Sequence, residues 1–329
     1  MKRRTVGTSG LSVSRMGLGT MTWGRDTTKE DARALVRAFV DAGGDLVDTA
    51  PAYGRGEAER MLGMLMRTEV ARDDLVIATK AGFTFRDGVR VVDTSRRALL
   101  DDLHDSLRRL RTDHIDLWQV HAWGQAPLEE TLAALDHAVT TGVVRYAGVS
   151  NFVGWQTASA ATWQEAFPGR ARIVSAQVEY SLLARRAEVE VLPAVRHFEM
   201  GFFPWSPMGR GVLTGKYRGV VPRGSRAASE HFGWYVKPYL EARSRAVVEA
   251  VGKAGDGLGL SPLQVAWLWV RDAPGVTAPL LGARTADQLA PYLDAEAAVL
   301  PGPIAAALDD VSGGTNEARS DAAAPDGRG

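Results

Sequence analysis

Four side chains that can take part in proton transfer lie at or just beyond the ends of short apolar runs. Such runs end on Asp48, Lys80 and His121, and Tyr53 follows closely behind Asp48. If the runs are parallel strands of one barrel, the four side chains converge at one mouth, because such barrels build their sites at the C-terminal ends of strands. An acid, a phenol, an amine and an imidazole in one pocket can protonate a carbonyl oxygen, so we predict that these four residues are catalytic.

Each residue has a definite role in that chemistry. A free phenol has a pKa near ~10, which is too high for an efficient acid at neutral pH. We expect the Lys80 ammonium to lower the pKa of Tyr53, and Asp48 to offset the cost of the partly buried cation. His121 can donate to the substrate oxygen and orient the carbonyl. Taken singly, Tyr53 could be an aromatic residue of a loop, and His121 could be a hydrogen-bonded histidine of the core. The occurrence of all four residues at the ends of successive strands favours catalysis.

The elements that must position these residues follow a repeating pattern. Residues 4–6 and 11–13 predict an N-terminal β-hairpin, and short apolar strands then alternate with amphipathic helices. Strands that are apolar on both faces indicate a parallel sheet, and eight in this length predict an α/β fold of the (β/α)8 TIM barrel type. An open doubly wound sheet is the alternative. The strands are expected at residues 15–20, 46–48, 75–80, 115–120, 143–149, 173–178, 201–205 and 276–281.

Two segments interrupt the repeat. Gly209 to about Leu240 is a long loop after strand 7, of a length that is typical of functional lids or of disorder. Residues 312–329 are small and polar and are predicted to form a disordered tail. Residues 1–311 are therefore expected to form a single barrel domain.

Composition excludes several classes of function. The 329 residues carry 39 basic and 39 acidic side chains, so we expect no nucleic-acid partner and no acidic membrane surface. There is no cysteine, which excludes disulfides, thiolate metal sites and cysteine nucleophiles. No His-x-x-x-His pair occurs, and no metal site is predicted. Without a secretory signal or an apolar run of ~18 residues, the predicted location is cytoplasmic.

The common nucleotide and hydrolase motifs are also absent. Gly17 and Gly19 are not followed by the third glycine of a dinucleotide fingerprint, and Arg210 stands where a P-loop before Lys216 needs glycine. No Gly-x-Ser-x-Gly elbow occurs. A nucleotide site in this protein must therefore be built differently.

The sequence resembles the aldo-keto reductase family over nearly the whole chain. No single block decides the match, but eight occur in the family's order. They are Gly17–Met21, Val47–Gly54, Thr79-Lys80, Leu117–His121, Gly148–Phe152, Gln177–Tyr180, Trp205–Met208 and Leu281–Arg284.

The resemblance implies a (β/α)8 barrel that binds NADP(H) in an extended form, with Tyr53 as the general acid. Asp48 and Lys80 would tune the acid and His121 would orient the carbonyl, while Trp205 would stack on the nicotinamide. Other implied cofactor contacts are Gly19, Thr20, Met21, Asp48, Ser150, Asn151, Gln177, Ser206, Pro207, Met208, Gly211, Lys216, Gly282, Arg284 and Gln288. Arg284 would contact the adenosine 2′-phosphate, its alternative being a solvated arginine at a helix start. Tyr292 departs from the family, since many members place asparagine there.

The implied reaction is the NADPH-dependent reduction of a small aldehyde or ketone to an alcohol. The expected substrate pocket is lined by Trp23, Tyr53, Phe83, His121, Trp123 and Phe152. Trp234 and Tyr235 of the long loop either join it or pack within the loop. Two alternatives stay open: a cofactor-binding sensor or channel-associated regulatory subunit of the same fold, and a barrel lyase or isomerase without nicotinamide. The sequence does not predict an oligomeric state.

Overall fold

The N-terminal hairpin closes one end of a barrel. The structure, a computed structural model, describes residues 1–86, 89–219, 221–230 and 233–313. Strand β1 (Arg3–Thr5) pairs antiparallel with β2 (Ser12–Ser14), as predicted. The neighbouring apolar residues Val6, Leu11 and Val13 are buried in one cluster with side chains of the barrel strands. The hairpin thus plugs the barrel and leaves the opposite end for chemistry.

Eight parallel strands form a closed barrel in the order in which they follow one another along the chain, which confirms the predicted TIM barrel over an open sheet. The register places Asp48 beside Gly19 and Lys80 beside Gln119, so the polar strand ends share one mouth. The barrel strands are β3 (Gly17–Gly19), β4 (Leu46–Asp48), β5 (Val76–Ala81), β8 (Ile115–Val120), β9 (Val144–Ser150), β10 (Ile173–Glu179), β11 (Gly201–Trp205) and β12 (Leu280–Leu281).

A second hairpin, which we did not predict, follows β5. Strand β6 (Phe83–Arg86) pairs antiparallel with β7 (Val89–Val92) before the chain enters the next helix. This hairpin belongs to a separate two-stranded sheet and begins next to the end of the strand that carries Lys80. It therefore adds side chains to the mouth of the barrel.

The helices surround the barrel, and several begin at polar capping residues. Thr28, Ser95 and Ser261 cap their helices through side-chain oxygens, which satisfy backbone N–H groups of the first turn. The helices are α1 (Lys29–Asp41), α2 (Glu57–Thr68), α3 (Arg96–Leu110), α4 (Leu128–Thr140), α5 (Gly154–Glu165), α6 (Val191–His197), α7 (Gly233–Val236), α8 (Ala242–Leu258), α9 (Pro262–Arg271), α10 (Ala286–Asp294) and α11 (Gly302–Ser312).

Some boundaries differ from the predicted ones. The last barrel strand is only Leu280–Leu281, and Val276 makes no more than an isolated bridge to Phe202. Pro279, between them, has no N–H to give to a ladder, which accounts for the shortened strand. Ser312 closes α11 rather than opening the predicted tail; the rest of that prediction, from residue 314, lies outside the described residues.

The long connection after β11 is folded in short pieces over its described residues. It contains the 3-10 turns Gly209–Thr214, Arg226–Ala228 and Lys237–Tyr239 together with α7. Across the described ranges, no helix is both long and apolar enough to cross a membrane. Within the same ranges, no three His, Asp or Glu side chains gather into a group that could hold a metal ion.

Candidate active site

The innermost part of the site is an ion pair between Asp48, at the end of β4, and Lys80 of β5. Lys80 Nζ lies 2.8 Å from each carboxylate oxygen of Asp48 and donates a third hydrogen bond, of 2.9 Å, to the Thr49 carbonyl. The Lys80 side chain is completely buried, and burial lowers the pKa of its ammonium, while Asp48 opposes that shift. Because removing either partner leaves a buried charge uncompensated, the two residues form one unit.

The Tyr53 hydroxyl lies beside this ion pair. Tyr53 begins the 3-10 turn Tyr53–Gly56, in which Gly54 and Arg55 have left-handed φ angles of 56°. Its hydroxyl oxygen is 3.4 Å from Lys80 Nζ, and the ammonium is 5.1 Å from the centre of the ring. The strand ends thus bring the acid, the amine and the phenol into one cluster.

The pKa of Tyr53 is shifted in the direction opposite to the one that we expected. Burial is the largest cause and raises the pKa of the phenol well above its ordinary 10.0, with further contributions from Asp48 and Tyr235. The expectation left out the burial of the phenol, and both Asp48 oxygens also lie against the Lys80 ammonium and offset its field. Tyr53 therefore holds its proton throughout the neutral range.

His121 lies directly after β8 and completes the cluster. Its ring packs edge-on against Tyr53, with 6.1 Å between the ring centres. Burial first, and then the charges of Lys80 and Arg90, lower the pKa of His121 well below 6.5. The imidazole is therefore neutral, with one N–H donor. Nδ1 is buried and has no hydrogen-bond partner among the described residues.

A network of amides connects the catalytic cluster to the ends of β9, β10 and β11. Asn151 Nδ2 donates to the His121 carbonyl at 2.9 Å and to Ser150 Oγ at 3.1 Å, and Asn151 Oδ1 accepts from Trp205 Nε1 at 3.0 Å. Gln177 Nε2 donates to Asp48 Oδ1 at 2.8 Å. The residues expected around a nicotinamide therefore also hold His121 and Asp48 in place.

The loop that follows Trp205 turns sharply through several left-handed residues. Ser206, Arg210 and Gly211 have φ angles of 51°, 57° and 93°. Arg210 makes a two-pronged ion pair with Glu179, with distances of 2.9 and 2.7 Å, and its guanidinium stacks 3.6 Å from the ring centre of Tyr235. Ser206 Oγ is 3.2 Å from the Tyr235 hydroxyl. Arg210, for which the sequence predicted no function, thus joins the long loop to the barrel.

Three basic side chains lie close together near the end of β12. They are Lys216, Arg226 and Arg284. Burial is the main cause that lowers the pKa of both Lys216 and Arg226, and Arg284 lowers each of them further. A Cβ at Gly282 would lie 3.6 Å from Arg226 Nη2, so the guanidinium approaches the end of β12. Mutual lowering of pKa values is the signature of cations held close together, which suits a multivalent anion.

The amino-acid sequence that builds this site matches a known protein family. A sequence model of the aldo/keto reductase family covers residues 15–312. The chain belongs to the aldo/keto reductase family. The match spans every barrel strand and each of the four predicted catalytic residues.

Proteins similar to this chain come from bacteria and plants. The aldo-keto reductase YhdN of Bacillus subtilis is 31% identical over 88% of this chain and 87% of its own length. The uncharacterized oxidoreductase YrpG of the same organism is 34% identical over 94% of this chain and 96% of its own length. A probable voltage-gated potassium channel subunit beta of Oryza sativa is 33% identical over 88% and 89%. The family resemblance therefore extends over nearly the whole of each protein.

The aromatic residues expected in the substrate pocket fall into two groups, and two of them, Phe152 and Trp23, are buried in the core. Phe83 lies 4.9 Å from His121, next to Tyr53, whereas Trp123 packs edge-on against Phe152 at 5.1 Å. Trp155, which we did not predict, packs against Trp123 at 5.1 Å. Trp23 has no exposed surface and belongs to the core. Of the two lid aromatics, Tyr235 packs on Arg210, and Trp234 is 72% exposed.

The remaining residues of the expected cofactor site lie at strand ends or near the cation cluster. Thr20 donates from its amide and hydroxyl to the Asp48 carbonyl, at 2.9 and 3.1 Å, and is flanked by Gly19 and Met21. Pro207 and Met208 are buried in the turn after β11.

The end of the site expected to hold adenine differs most from the family pattern. Gln288 accepts the Arg284 amide at 3.0 Å, which ties the start of α10 to the cation cluster. Tyr292 is buried and packs edge-on against Trp267, with 5.3 Å between ring centres. Its side chain thus serves the helix packing where many members of the family place asparagine.

Sequence reasoning missed Arg226 because no local motif marks it. It lies in the long loop, and only the folded chain brings it to Lys216 and Arg284. The hairpin of β6 and β7 did carry a signal: Asp87-Gly88 between two runs of aromatic and β-branched residues is typical of a hairpin turn.

Proposed function

We propose that this protein reduces aldehydes or ketones to alcohols with NADPH, using Tyr53 as the general acid. The observation that carries the proposal is the Tyr53 hydroxyl, 3.4 Å from a buried Lys80 that is itself paired with Asp48, next to His121 at the mouth of the barrel. We also propose that residues 1–311 act as one domain. The reaction consumes a carbonyl compound, NADPH and a proton and yields an alcohol and NADP⁺.

The residues around the mouth fit a nicotinamide cofactor. Ser150, Asn151 and Gln177 present amide and hydroxyl groups there, and Trp205 offers a partly exposed ring with its nitrogen held by Asn151. Lys216, Arg226 and Arg284 would hold the phosphates. Three clustered cations suit an additional phosphate better than a diphosphate alone, which supports NADPH over NADH. Ser206, Met208, Gly211, Gly282 and Gln288 would contribute further contacts along the same path.

The chain's own residues account for the proton. When bound, the cofactor supplies the hydride that the carbonyl carbon accepts. His121, being neutral, donates a hydrogen bond to the carbonyl oxygen and orients it. Tyr53 holds a proton in its buried hydroxyl and transfers it to that oxygen as negative charge develops.

Lys80 and Asp48 act on the Tyr53 hydroxyl before and after it transfers its proton. The ammonium, 3.4 Å away, stabilises the phenolate that remains, and Asp48 keeps the ammonium charged within the barrel. Solvent protons restore the phenol for the next turnover.

A regulatory function is the second candidate, and one relative favours it. The rice relative, named a probable voltage-gated potassium channel subunit beta, matches this chain over 89% of its own length. In that case the protein would bind the cofactor tightly and turn it over slowly as a sensor subunit.

Cofactor consumption and cofactor binding together separate the candidates. We expect rapid NADPH oxidation with an activated aromatic aldehyde such as 4-nitrobenzaldehyde, slower oxidation of NADH, and quenching of tryptophan fluorescence by NADPH. Quenching without turnover over a panel of carbonyls and alcohols would favour the regulatory function. If NADPH neither quenches nor is consumed, the protein does not use nicotinamide and the proposal is wrong.

A further inference from the structure

We propose that Arg90 makes this protein selective for carbonyl substrates that carry a carboxylate at a distance from the reacting carbonyl. The inference rests on the proposed function, because it concerns the substrate of the same site. It starts from the hairpin of β6 and β7, which stands beside the catalytic cluster and was not foreseen from the sequence.

Pairing in the hairpin determines which of its side chains face the cluster. Phe85 is directly opposite Arg90, and Phe83 is directly opposite Val92, so these four side chains share one face. Phe83 contacts the His121 ring at 4.9 Å, which identifies this face as the one turned towards the mouth. Arg90 therefore projects on the side of the catalytic residues.

Contacts with the Phe83 ring fix the guanidinium near the mouth. The Arg90 guanidinium lies 5.0 Å from the centre of the Phe83 ring, and the Phe85 ring packs edge-on against Phe83 at 5.2 Å. The Phe83 ring thus contacts both the Arg90 guanidinium and the His121 ring. A benzene ring between a carbonyl and a carboxylate spans a gap of the same order, so one substrate can reach both residues.

The charge of Arg90 is available to a ligand. Among the described residues, no carboxylate forms a salt bridge with Arg90, whereas the other cation near His121, Lys80, is paired with Asp48. The side chain is exposed, apart from its packing on Phe83. A planar guanidinium binds carboxylates through two parallel hydrogen bonds, and stacking on an aromatic ring holds it in a fixed orientation.

The aromatic surroundings define the rest of the substrate. Tyr53, Phe83 and Trp123 offer apolar, partly exposed ring surfaces close to the mouth. The structure thus points to an aromatic or similarly apolar aldehyde, with the carbonyl at Tyr53 and His121 and the carboxylate at Arg90.

The test compares a charged substrate with its neutral ester in matched variants. We expect the ratio of kcat/KM for 4-carboxybenzaldehyde to that for methyl 4-formylbenzoate to fall by about fivefold in Arg90→Gln, a factor expected of a partly solvated ion pair. Arg90→Lys should retain much of the ratio because it keeps the charge. The control Arg97→Gln, at a helix position with a 92% exposed side chain, should not change it.

A binding measurement keeps the proposal testable without turnover. Quenching of tryptophan fluorescence by 4-(hydroxymethyl)benzoate should weaken in Arg90→Gln but not in Arg97→Gln, while the KM for NADPH stays unchanged. An unchanged substrate ratio with unchanged quenching, or a loss of NADPH affinity alone, would overturn the role of Arg90. If no aldehyde is reduced but carboxylate binding still depends on Arg90, the proposed reaction fails and the anion site stands.

Discussion

Two buried ion pairs of similar chemistry lie on opposite sides of strand β5. Inside the barrel, Lys80 pairs with Asp48 at 2.8 Å; outside it, Arg109 Nε donates to Glu59 Oε2 at 2.6 Å, and Thr79 Oγ1 donates to Glu59 Oε1 at 2.7 Å. Asp48, Lys80 and Glu59 are all buried. Burial and pairing therefore do not distinguish a catalytic pair from one that joins helices to a strand.

The neighbours of each pair make the difference. Glu59 is satisfied by Thr79 and Arg109 and is surrounded by helix packing, so the outer pair ties α2 and α3 to the barrel. The inner pair lies against the Tyr53 hydroxyl and near His121, whose Nδ1 has no partner among the described residues. A buried charge becomes a candidate for catalysis when a transferable proton lies beside it.

The largest effect should come from removing that proton. Tyr53→Phe keeps the ring but loses the hydroxyl, and we expect kcat to fall by about a thousandfold, within the range for a lost general acid. The dissociation constant for NADPH, measured by fluorescence, should change little. Unchanged turnover in this variant would remove Tyr53 from the mechanism.

Breaking the inner pair should have the next largest effect. Asp48→Asn preserves shape but removes the negative charge that opposes the lowering of the Lys80 pKa by burial. Lys80 then tends to lose its charge. We expect kcat to fall by about a hundredfold because a neutral amine no longer stabilises the Tyr53 phenolate. Steady-state kinetics at neutral pH measure this loss, and activity near that of the unmodified protein would show that the pair has no catalytic function.

Breaking the outer pair should lower the stability of the protein and leave its activity nearly unchanged. Glu59→Gln removes the charge that Arg109 binds, and we expect the free energy of unfolding in urea to fall by about 1–3 kcal/mol. Since Glu59 faces away from the mouth, kcat should change by less than about tenfold. A loss of activity as large as that of Asp48→Asn, with stability intact, would erase the distinction between the two pairs.

The smallest effect concerns stability in acid. The pKa of His121 is below 6.5 in the folded protein, so the unfolded chain binds a proton more readily as the pH falls below 6.5. The contribution of His121 to stability is complete above that pH and declines below it. Urea unfolding between pH 5 and 7 should therefore depend less on pH in His121→Asn than in the unmodified protein. The exposed His197→Asn is the matched control, and equal slopes in all three proteins would contradict the assignment.

The sequence predicted the barrel well because its signals are local and repeated. Apolar runs with Asp48, Lys80 and His121 at or next to their ends alternate with helices that begin at capping residues such as Thr28 and Ser261, and each unit constrains the next. The shortened last strand and the hairpin that carries Arg90 were missed, because both depend on a few residues: Pro279 in one case, and two four-residue strands in the other.

The site could be predicted only as a set of residues, since its electrostatics depend on distances. Nothing in the sequence shows how far the Tyr53 phenol is removed from solvent, so the direction of its pKa shift, which burial dominates, was predicted wrongly. Arg226 was missed for a similar reason, because its proximity to Lys216 and Arg284 arises from the fold of a long loop.

Isotopic analysis of the product tests the central proposal most directly. The protein is incubated with an aromatic aldehyde and NADPH deuterated at one or the other face of the nicotinamide C4, and the alcohol is examined by mass spectrometry. We predict one deuterium on the carbinol carbon from one of the two cofactors, none from the other, and about a thousandfold slower formation of alcohol with Tyr53→Phe. An absence of alcohol from the unmodified protein, or alcohol without deuterium from both cofactors, would contradict the proposal.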